Sequence, residues 1–171
     1  VYHEHFSYLS LTSVNRIFGQ AGLKIYDVER LATHGGSLRI FGAHIEDPRV
    51  VADAVGQLLH EEEMGGLRDL SVYKTFQPRA EKVKDDFLAF LIEQKRQGKT
   101  VAAYGAAAKG NTLLNFSGVK PDLLPFVCDA APSKQGKYLP GSHIPVLSPE
   151  SLHERHPEWV VVLPWNIADE V

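Results

Sequence analysis

From Thr100 onward the chain changes rhythm. Short, unbroken apolar runs, Val101 to Tyr104, Phe126 to Asp129 and Val160 to Leu163, are interleaved with a helical stretch from Gly110 to Phe116. A strand with one wet face alternates apolar and polar residues, whereas a run apolar at every position suits a strand covered on both faces. Covering both faces calls for helices on each side of a parallel sheet, and parallel neighbours need a crossover that a helix supplies. Residues 99–171 therefore read as a Rossmann-like lobe that is incomplete at its C-terminus, and the fold class as α/β.

The preceding residues follow other periods. Val14, Ile17, Phe18 and Ala21 recur at helical spacing. Ser10 or Thr12 can cap the start of that helix, and Gly22 can end it in the left-handed region. Leu23 to Val28 and Leu38 to His44 are β-like runs about a Gly35-Gly36 turn, which predicts an antiparallel hairpin. Residues 1–46 form one segment on this reading. Residues 47–98 form a helical connector: one helix after Pro48 breaks at Gly65-Gly66, and another follows Pro78 with Val83, Phe87, Phe90 and Leu91 on one face.

Composition removes several classes of function. With 44% hydrophobic and 23% charged residues the chain belongs with globular proteins, and a net charge of -3 gives no general attraction to nucleic acid. No apolar run approaches the length that spans a bilayer. The single cysteine, Cys128, has apolar neighbours and reads as a buried thiol in a cytoplasmic setting. Val1 opens straight into a polar-aromatic run without a start methionine, so a piece of a longer protein is expected.

That opening run holds the densest chemistry, Tyr2-His3-Glu4-His5, just ahead of the first helix. A histidine titrating near neutrality is suited to remove a proton alpha to a carbonyl, and a nearby carboxylate can fix its tautomer. His5 is the candidate base. A metal centre would need more converging ligands than an isolated His-Glu-His provides, so no metal is assigned; a purely hydrogen-bonding role at the helix start stays open.

The second constellation runs from Gly105 to Thr112, between an apolar strand and a helix. A Walker loop places its lysine directly after the second glycine, whereas here Lys109 precedes Gly110 and Asn111 follows it. Ala107 stands where a dinucleotide fingerprint needs its second glycine, which weakens an NAD reading. What survives is space, helix-terminal amides and the charge of Lys109, a setting for a diphosphate. A tight packing turn is the alternative. Asp129 ends the next strand, either at a ribose hydroxyl or capping a turn. The Pro132 to Pro145 stretch is a long Gly/Pro loop that either covers a ligand or, as the more ordinary reading, lies solvated. Trp165 either stacks on a base or packs in the core, with Asn166 capping a following helix.

Four segments occur in one order: Tyr2 to Tyr8, Thr33 to Arg39, Tyr104 to Asn115, and Lys134 to Val146. Together they resemble the sugar C-methyltransferase family over nearly the whole chain. The resemblance implies a zinc-binding region and a central S-adenosylmethionine (SAM) domain upstream, with residues 1–46 ending the SAM domain and residues 99–171 forming the C-terminal Rossmann-like domain. It implies a base that takes the acidic proton beside the 4-keto group of a nucleotide-linked deoxysugar, giving an enolate that accepts the methyl group of SAM. Carried over by motif, His5 is the base and Glu4 and Tyr2 orient it or stabilise the enolate. Lys109, Gly110, Asn111, Trp165 and, more remotely, His34 would bind the nucleotide-diphosphate sugar. SAM and zinc would be held mainly by upstream parts, leaving the piece alone inactive. The competing class is a Rossmann-like nucleotide-binding module without chemistry.

Overall fold

In the computed structural model, residues 7–33 and 36–169 are described. The chain divides into two compact units, the first ending at Phe76 and the second beginning at Gln77.

The first unit comprises α1 (Leu11–Gln20), β1 (Leu23–Leu31), β2 (Ser37–His44), α2 (Asp53–Met64) and α3 (Leu70–Lys74). Ser10 caps α1 by accepting from the Ser13 amide at 3.2 Å, and Gly22 follows the helix at φ +72°. β1 and β2 form the predicted antiparallel hairpin, with Leu23 opposite His44 and Leu31 opposite Ser37. One irregularity between Ile25 and Asp27 sets which face is buried. Ile25 and Val28 are an odd number of residues apart and would face opposite sides of a regular strand. The extra residue restores the parity, so both join Leu11, Val55 and Leu58 in a single core.

The second unit contains α4 (Phe76–Arg96), β3 (Val101–Tyr104), α5 (Ala108–Phe116), β4 (Val127–Cys128), β5 (Val146–Leu147), α6 (Glu150–Arg155) and β6 (Trp159–Val162). The sheet order is β5-β4-β3-β6 with every pair parallel, the arrangement in which a doubly wound sheet begins. Leu91 of α4 and Leu114 of α5 pack with Val101, Ala103, Val127 and Val146 on one face. Leu152 of α6 packs with Ala102, Phe126 and Cys128 on the other. Ala102 and Ala103 are successive residues on opposite faces, and neither exposes any surface. For β3 and β4 the unbroken apolar pattern thus has the physical cause expected of it, whereas Trp159 and Val160 of the edge strand β6 stay exposed.

Several boundaries differ from the sequence reading. α4 starts at Phe76 rather than after Pro78, because a proline in the first helical turn gives up no intrahelical hydrogen bond. Val83 is 56% exposed, leaving Phe87, Phe90 and Leu91 to form the apolar side of α4. Residues 132–145 form a largely exposed loop that is pinned by buried anchors. Leu139 and Ile144 are buried, the Leu139 amide donates to Ile144 at 2.9 Å, and a bridge joins Tyr138 to Pro145. β5 and α6 follow this segment and have no clear sequence period, being only two and six residues long. Among the described residues no helix is long and apolar enough to cross a membrane.

Two glycines give opposite predictions. A Cβ at Gly110 would stand 2.7 Å from the Leu163 Cβ, so Gly110→Ala must push α5 off the end of β6. It should destabilise by about 1–3 kcal/mol. Gly56 lies inside α2 with nothing within 4 Å of its would-be Cβ. Gly56→Ala should stabilise by about 0.4–1 kcal/mol. Urea denaturation of the two variants beside the parent chain measures both signs.

Candidate functional site

The second unit turns around at β3. From β3 the chain passes through α5 to β4 on one side, then returns through α6 to β6 on the other. The loops leaving β3 and β6 therefore lie at the C-terminal edge of the sheet where its winding reverses, the place where open α/β sheets bind ligands.

The loop after β3 is shaped by two close approaches. Gly105 has φ +92°, and a Cβ there would meet the Pro164 Cδ at 2.4 Å. Gly110 is packed against Leu163 in the same way. These glycines let α5 and the β6 exit come together, so the one small residue predicted to contact substrate, Gly110, sits buried beneath Leu163. Ala107, the N-cap of α5, supplies no side-chain acceptor to the first-turn amides. An uncapped helix start of this kind favours an anion.

Lys109 leaves the first turn of α5 and donates from Nζ to Asn166 Oδ1. The same ammonium lies 5.2 Å from the centroid of the Trp165 ring, within the range of a cation–π contact. Trp165 is 56% exposed, which removes the core alternative. Asn166 does not cap a helix. It lies inside a short 3₁₀ turn, Trp165–Ile167, and its carbonyl oxygen holds Lys109. Asn111, two residues beyond Lys109, has a buried Oδ1 with no hydrogen-bond partner. The structure thus brings Lys109, Trp165 and Asn166 together from two loops, with Asn111 in the adjoining turn of α5.

Asp129 fixes the loop from beneath. Its carboxylate accepts from the Ala106 amide at 2.8 Å, the Ala131 amide at 2.9 Å and Lys134 Nζ at 2.9 Å. Burial alone would raise its pKa, but these donors together hold the carboxyl below its ordinary value. Three occupied acceptor directions favour the turn-capping reading over a free carboxylate awaiting a ribose. Cys128, immediately before it, is fully buried, and desolvation pushes the thiol upward; it is packing material, not a nucleophile.

Tyr2, Glu4, His5 and His34 lie outside the described residues. The first unit also carries an open, mainly apolar hollow of about 590 Å³ lined by Val14, Leu31, Leu38, Ile40 and Leu58, with Arg30 among its few polar neighbours. Among the described residues there is no cluster of three or more histidine, cysteine, aspartate or glutamate side chains able to hold a metal ion.

The Asp129 contacts have a pH signature. A carboxyl whose folded pKa is depressed contributes stability that is full above its ordinary value of 3.8 and lost as pH falls through the lower folded value. Asp129→Asn should cost about 1–3 kcal/mol at pH 7. The gap to the parent chain should close on acidification below that ordinary value. Denaturation midpoints measured between neutral and strongly acidic pH test it, and a constant gap would contradict the assignment.

Comparison with known proteins bears on the whole of this arrangement. Residues 32–171 match the C-methyltransferase C-terminal domain family. The chain is also 39% identical over all 171 of its residues to the C-methyltransferase NovU of Streptomyces niveus, of which it covers 41%. It thus spans about two-fifths of that relative's length. Since the family match takes in β2, every helix from α2 onward and the entire parallel sheet, the chain belongs to the C-methyltransferase C-terminal domain family.

Proposed function

We propose that this chain is part of a SAM-dependent C-methyltransferase acting on a carbon of a nucleotide-linked keto-deoxysugar, working in the cytoplasm, and that it contributes the base and the substrate-binding lobe. The observation that carries the substrate half of this reading is the meeting of Lys109, Trp165 and Asn166 at the sheet's reversal point. A nucleotide-diphosphate sugar offers a partner for each feature. Its diphosphate suits the uncapped start of α5 and the Lys109 ammonium. The exposed Trp165 ring suits a base. The buried, unpartnered Asn111 oxygen suits a hydroxyl or N–H donor once the ligand is seated.

The β3–α5 loop offers SAM no close backbone approach. Gly105 and Gly110 are both consumed by packing against Pro164 and Leu163, and no glycine remains in the β3–α5 loop to let the backbone approach a second nucleoside. SAM, which supplies the methyl group, belongs in this reading to an upstream part of the protein, and so does the zinc region that the resemblance implies. What this chain does is narrower. His5 takes the proton from the carbon beside the keto group, Glu4 and Tyr2 orient the imidazole or donate to the enolate oxygen, and the α5 lobe anchors the nucleotide end so that the acidic C–H faces the base.

Calorimetric titration with a dTDP-linked sugar and, separately, with SAM tests the division of labour, repeated for Lys109→Ala and His5→Ala. The expected result is sugar-nucleotide binding weakened about tenfold or more by Lys109→Ala, little changed by His5→Ala, and no heat with SAM. SAM binding by this chain, or no sugar-nucleotide binding even by the full-length protein, would overturn the assignment. Tight nucleotide binding by a full-length protein that transfers no methyl group would instead favour a binding module.

A further inference from the structure

Two lysines adjoin the β3–α5 loop, and they are held differently. Lys134 Nζ lies 2.9 Å from Asp129 Oδ2, the oxygen that also accepts from the Ala106 amide of that loop. Its charge is met by a carboxylate of the same fold. Lys109 Nζ instead donates to Asn166 Oδ1 and lies 5.2 Å from the centroid of the Trp165 ring, both of them neutral groups. Among the described residues no carboxylate forms an ion pair with Lys109. A partly buried ammonium without a counter-charge is costly to hold. The fold thus leaves a full positive charge in the first turn of α5 for an anion from outside to meet.

Asn166 is itself held in place relative to that charge. The Leu163 amide donates to the Tyr104 carbonyl at 2.9 Å, Leu163 packs against Gly110, and Pro164 packs against Gly105. The Ile167 amide then donates to the Pro164 carbonyl at 2.9 Å and closes the 3₁₀ turn that contains Asn166. The contacts that fix the start of α5 therefore also fix the amide that receives its lysine. An ammonium only donates, so Asn166 presents its carbonyl oxygen, and that one acceptor restricts a side chain otherwise free to sample many rotamers. An aspartate in the same place would grip the lysine harder but would cancel its charge.

We infer that Asn166 is a positioning residue for the anionic end of the substrate: its neutral carbonyl oxygen orients the Lys109 ammonium while leaving the charge for the diphosphate. This rests on the reading of Lys109 as the diphosphate's partner given above.

The experiment uses the full-length methyltransferase and calorimetric titration with a dTDP-linked sugar, comparing Lys109→Ala, Asn166→Ala, Asn166→Asp and the Lys109→Ala/Asn166→Ala double variant. Thermal denaturation of each ligand-free protein runs alongside. Asn166→Ala should weaken binding about three- to tenfold, and should cost nothing further where Lys109 is already gone. Asn166→Asp should keep or raise the melting temperature by pairing with Lys109, yet weaken sugar-nucleotide binding about tenfold or more, because the ion pair withdraws the charge. It has nearly the shape of asparagine and carries the test if Asn166→Ala does not fold. Asn166→Asp binding as tightly as the parent, or an equal loss for Asn166→Ala with and without Lys109, would make Asn166 a structural part of the turn and overturn the inference. A loss in Lys109→Ala beside unimpaired Asn166 variants would sink the Asn166 role alone, whereas Lys109→Ala binding as tightly as the parent would sink the diphosphate reading and this inference with it.

Discussion

The second unit is organised around a strand whose middle residues have almost no side chain. Ala102 and Ala103 point to opposite faces of β3 and are wholly buried, one under α6 and the other under α4 and α5. Small residues at the centre of a sheet bring the covering helices close, and the closeness propagates to the strand's exit. There the backbone must turn at φ +92° beside Pro164, and the first turn of α5 must carry a glycine, Gly110, against Leu163. The position of Lys109 is thus a consequence of packing: the helix cannot begin elsewhere without opening a void beneath it.

Two carboxylates then fix chain segments by accepting from backbone amides far away in sequence. Asp129 ties the loop after β3 to the turn after β4, and Glu62 ties the start of α1 to the end of α2. In both, desolvation argues against the charge and hydrogen bonds from oriented amides overcome it. Amide donors need no side-chain ordering to meet an anion, so a single carboxylate holds two of them at small entropic cost. Asp129 thereby holds the loop that leads into Lys109.

Much of this was legible in the sequence where period and burial coincide. Unbroken apolar runs gave the parallel sheet, helical spacing gave α1, and the flanking β runs gave the hairpin with its antiparallel pairing. Legibility failed where a pattern depends on something distant. Ile25 and Val28 share a face only because a bulge intervenes, and strict alternation cannot show that. The Pro132 to Pro145 segment looks solvated by composition, yet Leu139 and Ile144 fill the core and Asn115 Nδ2 donates to the Pro140 carbonyl at 2.9 Å. In the candidate site, Lys109 and Trp165 were readable as residue types in suggestive loops. Their meeting through Asn166, 57 residues from Lys109, was not, because only the return of the chain to β6 brings the two loops together.

The use made of the glycines separates this loop from the dinucleotide sites it superficially resembles. In the fingerprint, one glycine makes the turn, a second admits the pyrophosphate to the backbone and a third packs helix on strand. Here Gly105 makes the turn and Gly110 does the packing, while Ala107 occupies the middle of the loop. The two structural duties are filled and the ligand duty has no glycine. An anion meeting this lobe would therefore be gripped from the side by helix-terminal amides and the Lys109 ammonium, with the Trp165 face beside it, rather than laid against the backbone. On the function proposed above, the ligand's diphosphate would carry its remaining bulk out past the loop rather than lie flat across the sheet edge.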